Sequence, residues 1–492
     1  MGTTAKAPTC GQSEPTIRPQ ENARYLKDGR DFIDDESITA LLRTRRHVDP
    51  QEIRDILAQS TALQRLEPEQ AAVLLNVQDE ELWQEIFQTA REIKNRVYGP
   101  RVVTFAPLYC SNYCQNSCLY CGFRRENTEQ RRRMLNLDEV RSETAALVAV
   151  GHKRLVVVYG EHPLTGVEYM ADTIRAVYGV KVGRGEIRRV NINAAPLRVA
   201  DYAILKDVGI GTYQVFQETY HHETYRRLHP RGNKADYKWR LYALHRAQEA
   251  GVDDVAIGAL FGLCDWRFEV LGLLTHAIDL ERHFDGVGPH TISFPRLEPA
   301  QGAPMTTAEN PSRVSDRDFL RLIAVLRLAV PYTGMIVTAR EPAAIRHEAL
   351  NLGCTQTDAS TRIGIGSYSE SSASQEVSRQ QFLLRDTRSL DELVRELSEM
   401  GFLTSFCTAG YRCGRTGTFF MELAKKGKVR DFCLPNAMLT LKEYLVDYAS
   451  PETRAIGERA IEKQLPSIDQ RLQPKLREWL KGIEDGQRDL RF

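Results

Sequence analysis

Cys110-Ser-Asn-Tyr-Cys114-Gln-Asn-Ser-Cys118-Leu-Tyr-Cys121 follows directly on an apolar run of strand character, Val102-Val-Thr-Phe-Ala-Pro-Leu-Tyr109. Four of the ten cysteines of this 492-residue chain lie in that one loop. Cys114, Cys118 and Cys121 are spaced C-x3-C-x2-C, so a single loop can fold their thiolates around one cuboidal iron–sulfur cluster, for which thiolates are the usual protein ligands. Three ligands on a cluster of four irons leave one iron open to chemistry. A structural zinc site with Cys110 as fourth ligand is the alternative that spacing alone leaves standing. The same stretch bears on the fold. In an open doubly wound sheet the first strand runs into a Gly-rich phosphate loop. Here it runs into cysteines.

Downstream of Arg101 strand and helix patterns alternate, which argues for a parallel sheet. Eight strand candidates follow: Val102–Tyr109, Arg154–Tyr159, Val190–Asn193, Thr212–Gln217, Asp254–Phe261, Thr291–Phe294, Gly334–Thr338 and Leu352–Thr357. Amphipathic helices are predicted between them at Leu137–Val150, Pro196–Val208, Asp236–Ala250 and Ser315–Val330. Eight βα units predict an α/β protein built on a (β/α)8 TIM-type barrel over 98–385, with its working rim at the C-terminal ends of the strands. Polar residues gather where that rim is expected: Glu161 and His162, Asn191 and Asn193, Gln217 and Glu218, His222, His290, Arg296, Arg340, Glu341 and Asp358. Each alone is as readily a solvated turn residue or a helix cap; their convergence above a cysteine loop is the signal.

Before the barrel, residues 1–21 read as a disordered tail and 22–97 as a helical extension, with apolar residues at three- and four-residue spacing. After it, 386–492 read as a mainly helical C-terminal domain. Hydrophobic residues at 42%, charged residues at 27% and a net charge of +1 describe a globular chain with no basic surface for nucleic acid or anionic membranes. No apolar stretch is long enough for a bilayer span, and the first residues lack the apolar core of a signal peptide. Clustered cysteines without an export signal point to metal ligands in a reducing compartment, and so to a cytoplasmic protein.

With Tyr120 just before its last cysteine, the C-x3-C-x2-C loop resembles that of the radical S-adenosylmethionine (SAM) superfamily. Further stretches resemble one branch of it, the HydG-type tyrosine lyases of [FeFe]-hydrogenase maturation, related to ThiH. They are Asn191-Ile-Asn-Ala-Ala-Pro196, Gly209 through Tyr220, Asp253 through Leu263, Gly286 through Arg296, and Gly414-Arg-Thr-Gly417 with Cys433-Leu-Pro-Asn-Ala437. The resemblance implies a 4Fe–4S cluster on Cys114, Cys118 and Cys121, with SAM chelated at the open iron. Tyr120, Glu161, Asn193 and Glu218 become its candidate contacts, Glu161 holding the SAM ammonium by a charge-assisted hydrogen bond. The implied substrate is L-tyrosine, cleaved at Cα–Cβ to p-cresol and dehydroglycine. Its carboxylate needs a fixed cation, for which Arg340 is the first candidate and Arg296 the second. A reductant such as ferredoxin or flavodoxin and an acceptor protein in cofactor assembly are the implied partners.

In that family a second iron–sulfur cluster sits on C-x2-C-x22-C, converts dehydroglycine into CO and cyanide, and carries an extra iron ligated by a histidine that corresponds to His290. Here Cys407 and Cys433 match the outer positions, but Gly410 stands at the middle one and Cys413 lies three residues later. Cys413 replaces the missing ligand, or the cluster is lost, or the site holds another metal. Without that cluster the chemistry stops at dehydroglycine, the ThiH outcome of a 2-iminoacetate synthase for thiamine thiazole. A lyase of another aromatic amino acid would share the machinery, and a metal-stabilised scaffold in cofactor assembly is the non-enzymatic alternative.

Overall fold

The structure, a computed structural model, describes residues 16–45, 49–305, 310–370 and 377–492. Eight parallel strands close into a barrel: β1 Arg101–Ser111, β2 Arg154–Tyr159, β3 Arg189–Asn193, β4 Thr212–Gln214, β5 Asp254–Gly258, β6 Thr291–Ser293, β7 Gly334–Val337 and β8 Gln356–Asp358. Each lies within about three residues of its predicted position at its N-terminal end, except β8, which begins four residues late because Ala343–Leu352 extends its helix to Leu352. The runs Val102-Val-Thr-Phe and Leu155-Val-Val are buried on both faces, as parallel strands under a helical layer must be. Closure is made by β8 against β1, Val103 beside Gln356 and Phe105 beside Asp358.

A ninth strand was not predicted. Leu403–Ser405 (β9) pairs in parallel with Arg101–Val103. Val103 is therefore paired on both sides, to Gln356 and to Ser405, so β9 shares with β2 the edge of β1 that faces away from β8. The C-terminal segment is thus built into the base of the barrel. The predicted helix Asp236–Ala250 is in fact two, Tyr237–Leu241 and Ala243–Glu249, parted at Tyr242. Helix starts elsewhere follow capping rules: Asn136 with Glu139 and Ser389 with Glu392 form reciprocal capping boxes.

The helical extension runs from Ala23–Tyr25 to Glu80–Tyr98. Of the expected disordered tail, residues 1–15 lie outside the described residues, whereas Pro19–Glu21 forms a 3-10 turn whose Glu21 carboxylate accepts a hydrogen bond from the Val199 N–H at 3.0 Å. The C-terminal helices dock through a buried charge cluster. Glu443, fully buried on Val429–Asp447, takes Arg188 at 2.8 Å and Lys153 at 3.2 Å from the loop preceding β3 and the turn preceding β2. No helix among the described residues is long and apolar enough to cross a membrane.

Removing one member of a buried ion cluster leaves the others uncompensated, at a cost of about 3–5 kcal/mol. Glu443→Gln is expected to lower the unfolding free energy by that order in urea melts; a shift within about 0.5 kcal/mol would mean that Arg188 and Lys153 find other partners.

Candidate active site

A cavity of about 220 Å³ opens at the C-terminal rim of the barrel and has Cys114, Cys118 and Cys121 in one wall. The cysteine loop has no regular structure and hangs on its neighbours by backbone hydrogen bonds: Gln115 to Glu161 at 2.8 Å, Ser117 to Arg231 at 3.2 Å, Leu119 to Leu228 at 3.1 Å and Gly122 to Gln381 at 3.1 Å. These bonds leave the thiols free. Close approach requires glycine after β2, since a Cβ on Gly160 would stand 2.2 Å from the Tyr113 carbonyl oxygen. Side-chain amides reach two of the sulfurs, Asn116 to Cys114 at 3.6 Å and Gln381 to Cys121 at 3.5 Å, the kind of outer contact that orients metal ligands. Cys110 belongs to the hydrophobic core instead. Among the described residues, His245, Asp279 and His283 are the one group of such donors at single-ion spacing. The loop thiols stand further apart, which suits a cluster and not a lone zinc ion.

Glu161 follows β2 and lines the cavity. Asn116 donates to one of its oxygens at 2.7 Å, while the other is buried without a partner. A buried carboxylate oxygen left bare is costly unless a ligand donor meets it. Glu218 adopts φ 71°, uncommon for a non-glycine residue, and its carboxylate is held by Lys234 at 2.6 Å and Arg240 at 3.2 Å. Burial pushes the Glu218 carboxyl up, but the charges of Lys234 and Arg240 more than offset this and hold it below its ordinary value. Asn193 and Tyr120 complete this side, the Tyr120 hydroxyl lying 2.8 Å from Nε2 of His229.

The two candidate arginines differ. Arg340 lines the cavity with its guanidinium 3.3 Å from the Phe382 ring centroid, and it donates to the Arg296 carbonyl at 3.3 Å. Neither carboxylate that could have neutralised it does so: Glu341 pairs with Arg296, and Asp358 is held by Thr361 at 2.7 Å, the Ala339 N–H at 2.8 Å and Arg346 at 3.4 Å. Arg296 lies outside the cavity lining and is spent on Glu341 and Asp316. His222 also leaves the rim, pairing with Asp35 at 2.8 Å and Asp31 at 3.3 Å in the N-terminal extension.

His290, Cys407 and Cys433 meet at the opposite, N-terminal mouth, in a smaller cavity that Gly410 also lines. Cys413 is not brought to them. It is exposed, outside that lining, with its sulfur 3.9 Å from the Phe492 carbonyl oxygen. Residues that sequence reasoning missed are Asn116, which links Cys114, Glu161 and the Lys234 N–H, and Lys234, Gln381 and Phe382. Asn116 lay inside the quoted motif; the other three carry no pattern that marks them.

The family model for the radical SAM superfamily matches residues 108–268, and that for the Biotin and Thiamin Synthesis associated domain matches 293–403. The 2-iminoacetate synthase of Escherichia coli K12 is 31% identical over 320 residues, 65% of this chain and 81% of that protein. Among solved structures, that of HydG, a maturase of the [FeFe]-hydrogenase, is 47% identical with a TM-score of 0.90, over 94% of this chain and all of its own. HydG from Carboxydothermus hydrogenoformans is 40% identical with a TM-score of 0.77, over 92% and 96%.

Gly160→Ala forces the Tyr113 carbonyl, and the loop with it, to move. The iron and sulfide bound after anaerobic reconstitution are expected to fall by at least about half; an unchanged count would show that the loop tolerates the shift.

Proposed function

Because this chain belongs to the HydG family of radical SAM enzymes, we propose that its rim cavity holds a 4Fe–4S cluster on Cys114, Cys118 and Cys121, with SAM beside it. The enzyme is a radical SAM carbon–carbon lyase that cleaves L-tyrosine between Cα and Cβ to p-cresol and dehydroglycine. When bound and reduced, the cluster supplies the electron that cleaves a sulfur–carbon bond of SAM and so the 5′-deoxyadenosyl radical that abstracts hydrogen. Everything else falls to binding and orientation by the chain.

Glu161 accepts the SAM ammonium on its bare oxygen, with Asn116 fixing the other. Asn193, Tyr120 and Glu218 line the rest of the SAM position, and Lys234 and Arg240 keep Glu218 ionised and still. Arg340 binds the tyrosine carboxylate through its planar fork, held flat by Phe382. Arg296 supports this arrangement indirectly, by occupying Glu341 and offering its carbonyl to Arg340. A reductant of the ferredoxin or flavodoxin type supplies the electron. The single observation that carries the reading is the enclosure of three cysteines, a half-unpaired buried glutamate and an arginine without a carboxylate partner in one cavity.

A second reading concerns the end of the reaction, and one observation favours it. The second iron–sulfur cluster of the family calls for a third thiol between Cys407 and Cys433, and the residues here do not fit it: Gly410 has no side chain and Cys413 faces away. The reaction on this reading ends at dehydroglycine, as in a 2-iminoacetate synthase.

Anaerobic enzyme with reductant, SAM and tyrosine is expected to release 5′-deoxyadenosine and p-cresol; a cluster-loaded enzyme that forms no p-cresol would refute tyrosine as substrate. Arg340→Gln is expected to lower kcat/KM for tyrosine about 10²–10³-fold at wild-type iron content, the loss of charged hydrogen bonds worth about 3–4 kcal/mol.

A further inference from the structure

Two helices of the outer layer carry a histidine–aspartate–histidine group that the tyrosine-lyase chemistry leaves without a task. His245 lies on Ala243–Glu249, while Asp279 and His283 stand four residues apart, on one face, at the end of Trp266–His283. Each of the three offers a ligand atom within 4.8 Å of the other two. Nε2 of His245 is 2.9 Å from Oδ2 of Asp279, and Nε2 of His283 is 3.7 Å from the same oxygen. Bonds of ~2.0–2.2 Å to a tetrahedral zinc ion put neighbouring ligand atoms about 3.3 Å apart, a value that the two spacings bracket. Shifts of about 0.4 Å would seat an ion. A plain hydrogen bond from His245 to Asp279 accounts for the shorter spacing. It does not account for His283, which 3.7 Å keeps beyond hydrogen-bond reach.

Aromatic packing fixes both imidazoles in advance. His245 is fully buried, with Tyr242 edge-on at 5.0 Å, Tyr25 tilted at 5.0 Å and His276 stacked flat at 5.7 Å. Tyr25 also meets His283 edge-on at 5.4 Å. Nδ1 of His245 and Nε2 of His276 are buried without hydrogen-bond partners among the described residues, and bare buried nitrogens call for water or an ion nearby. Asp279 is buried too, and Arg282 stands 3.6 Å from its other oxygen, Oδ1, an outer contact that leaves Oδ2 to the histidines. The His283 side chain keeps 27% of its surface exposed, which gives an ion a way in and a fourth position for water. Glu249, one turn after His245, does not fill that position, because Arg24 and Tyr25 each hold its carboxylate at 2.5 Å.

We propose that His245, Asp279 and His283 form a mononuclear site for a divalent cation of the zinc class, with water as the fourth ligand. Two imidazoles and one carboxylate suit zinc, whereas calcium and magnesium prefer oxygen shells. None of the three residues lines the rim cavity or the lower cavity at the N-terminal mouth. The ion ties Ala243–Glu249 to Trp266–His283 under the N-terminal turn Ala23–Tyr25, whose Tyr25 ring touches both imidazoles. It is a clamp on the outer layer, and it stands independently of the tyrosine-lyase reading.

Thiols compete for zinc, so the test uses anaerobic, cluster-loaded enzyme, given a small excess of Zn2+ and desalted. Wild type is expected to retain about one zinc per chain, with nitrogen and oxygen scatterers at ~2.0–2.1 Å in its X-ray absorption spectrum and no sulfur at ~2.3 Å. His283→Ala is expected to bind that ion at least about tenfold more weakly. No retained zinc, a shell of sulfur alone, or equal retention by His283→Ala overturns the proposal. A mixed shell supports it if His283→Ala removes the nitrogen part and overturns it otherwise. Iron and sulfide counts for His283→Ala are expected to match wild type, which shows that the variant folds; if they fall, His283→Gln takes its place. p-Cresol formation, measured on the same preparations, reports on the tyrosine-lyase reading separately.

Discussion

The arrangement depends on the pairing of β1 at Val103, where the backbone bonds β8 on one side and β9 on the other. That junction closes the barrel and fixes a strand that serves both of its mouths. Above it, β1 runs through Tyr109 into the cysteine loop; below it, Arg101 enters the lower cavity. A parallel barrel sends every C-terminal strand end to one rim, so a reactive metal loop, a SAM cradle and a substrate cation can be drawn from many strands without meeting in sequence.

Electrostatics divide the labour between the two ends. At the rim, these cations each find a carboxylate: Lys234 and Arg240 share Glu218, Arg296 takes Glu341 and Arg346 takes Asp358. Arg340 is the exception, and the exception faces the cavity. At the base, Arg101, Arg189 and Arg415 line the lower cavity with Asp254 as the one carboxylate among the described lining residues, and Asp254 is shared by Arg189 and His290. An unmatched buried cation is informative where a paired one is not, because the chain tolerates its cost only if a ligand answers it.

Much of this was legible in the sequence. The eight strands announced themselves as strand patterns alternating with amphipathic helices, and the cysteine loop and Glu161 fell at strand ends where a barrel puts its chemistry. What escaped has physical reasons. Leu403–Ser405 is three residues long, and its strand character comes from a partner some three hundred residues earlier, not from its own pattern. Arg296 and Arg340 look alike as strand-end arginines, and the choice between them is made by Glu341, one residue from Arg340 in sequence yet bonded across the rim to Arg296. Arg101 and Arg189, which open β1 and β3, were visible as letters, but their meeting in the lower cavity exists only once the barrel is closed.

Placing β9 at the barrel base sets a clock on synthesis. β1 leaves the ribosome early, yet one of its edges waits for Gln356 and the other, at its base, for Leu403–Ser405. At about 5–20 residues per second that wait is roughly 15–60 s. Throughout it, a long apolar strand ending in four thiols is without its final neighbours, and strand edges in that state invite mispairing. Metal delivery to the loop therefore belongs after completion of the chain, and the newly made protein is the form most in need of a chaperone and of protection from oxygen.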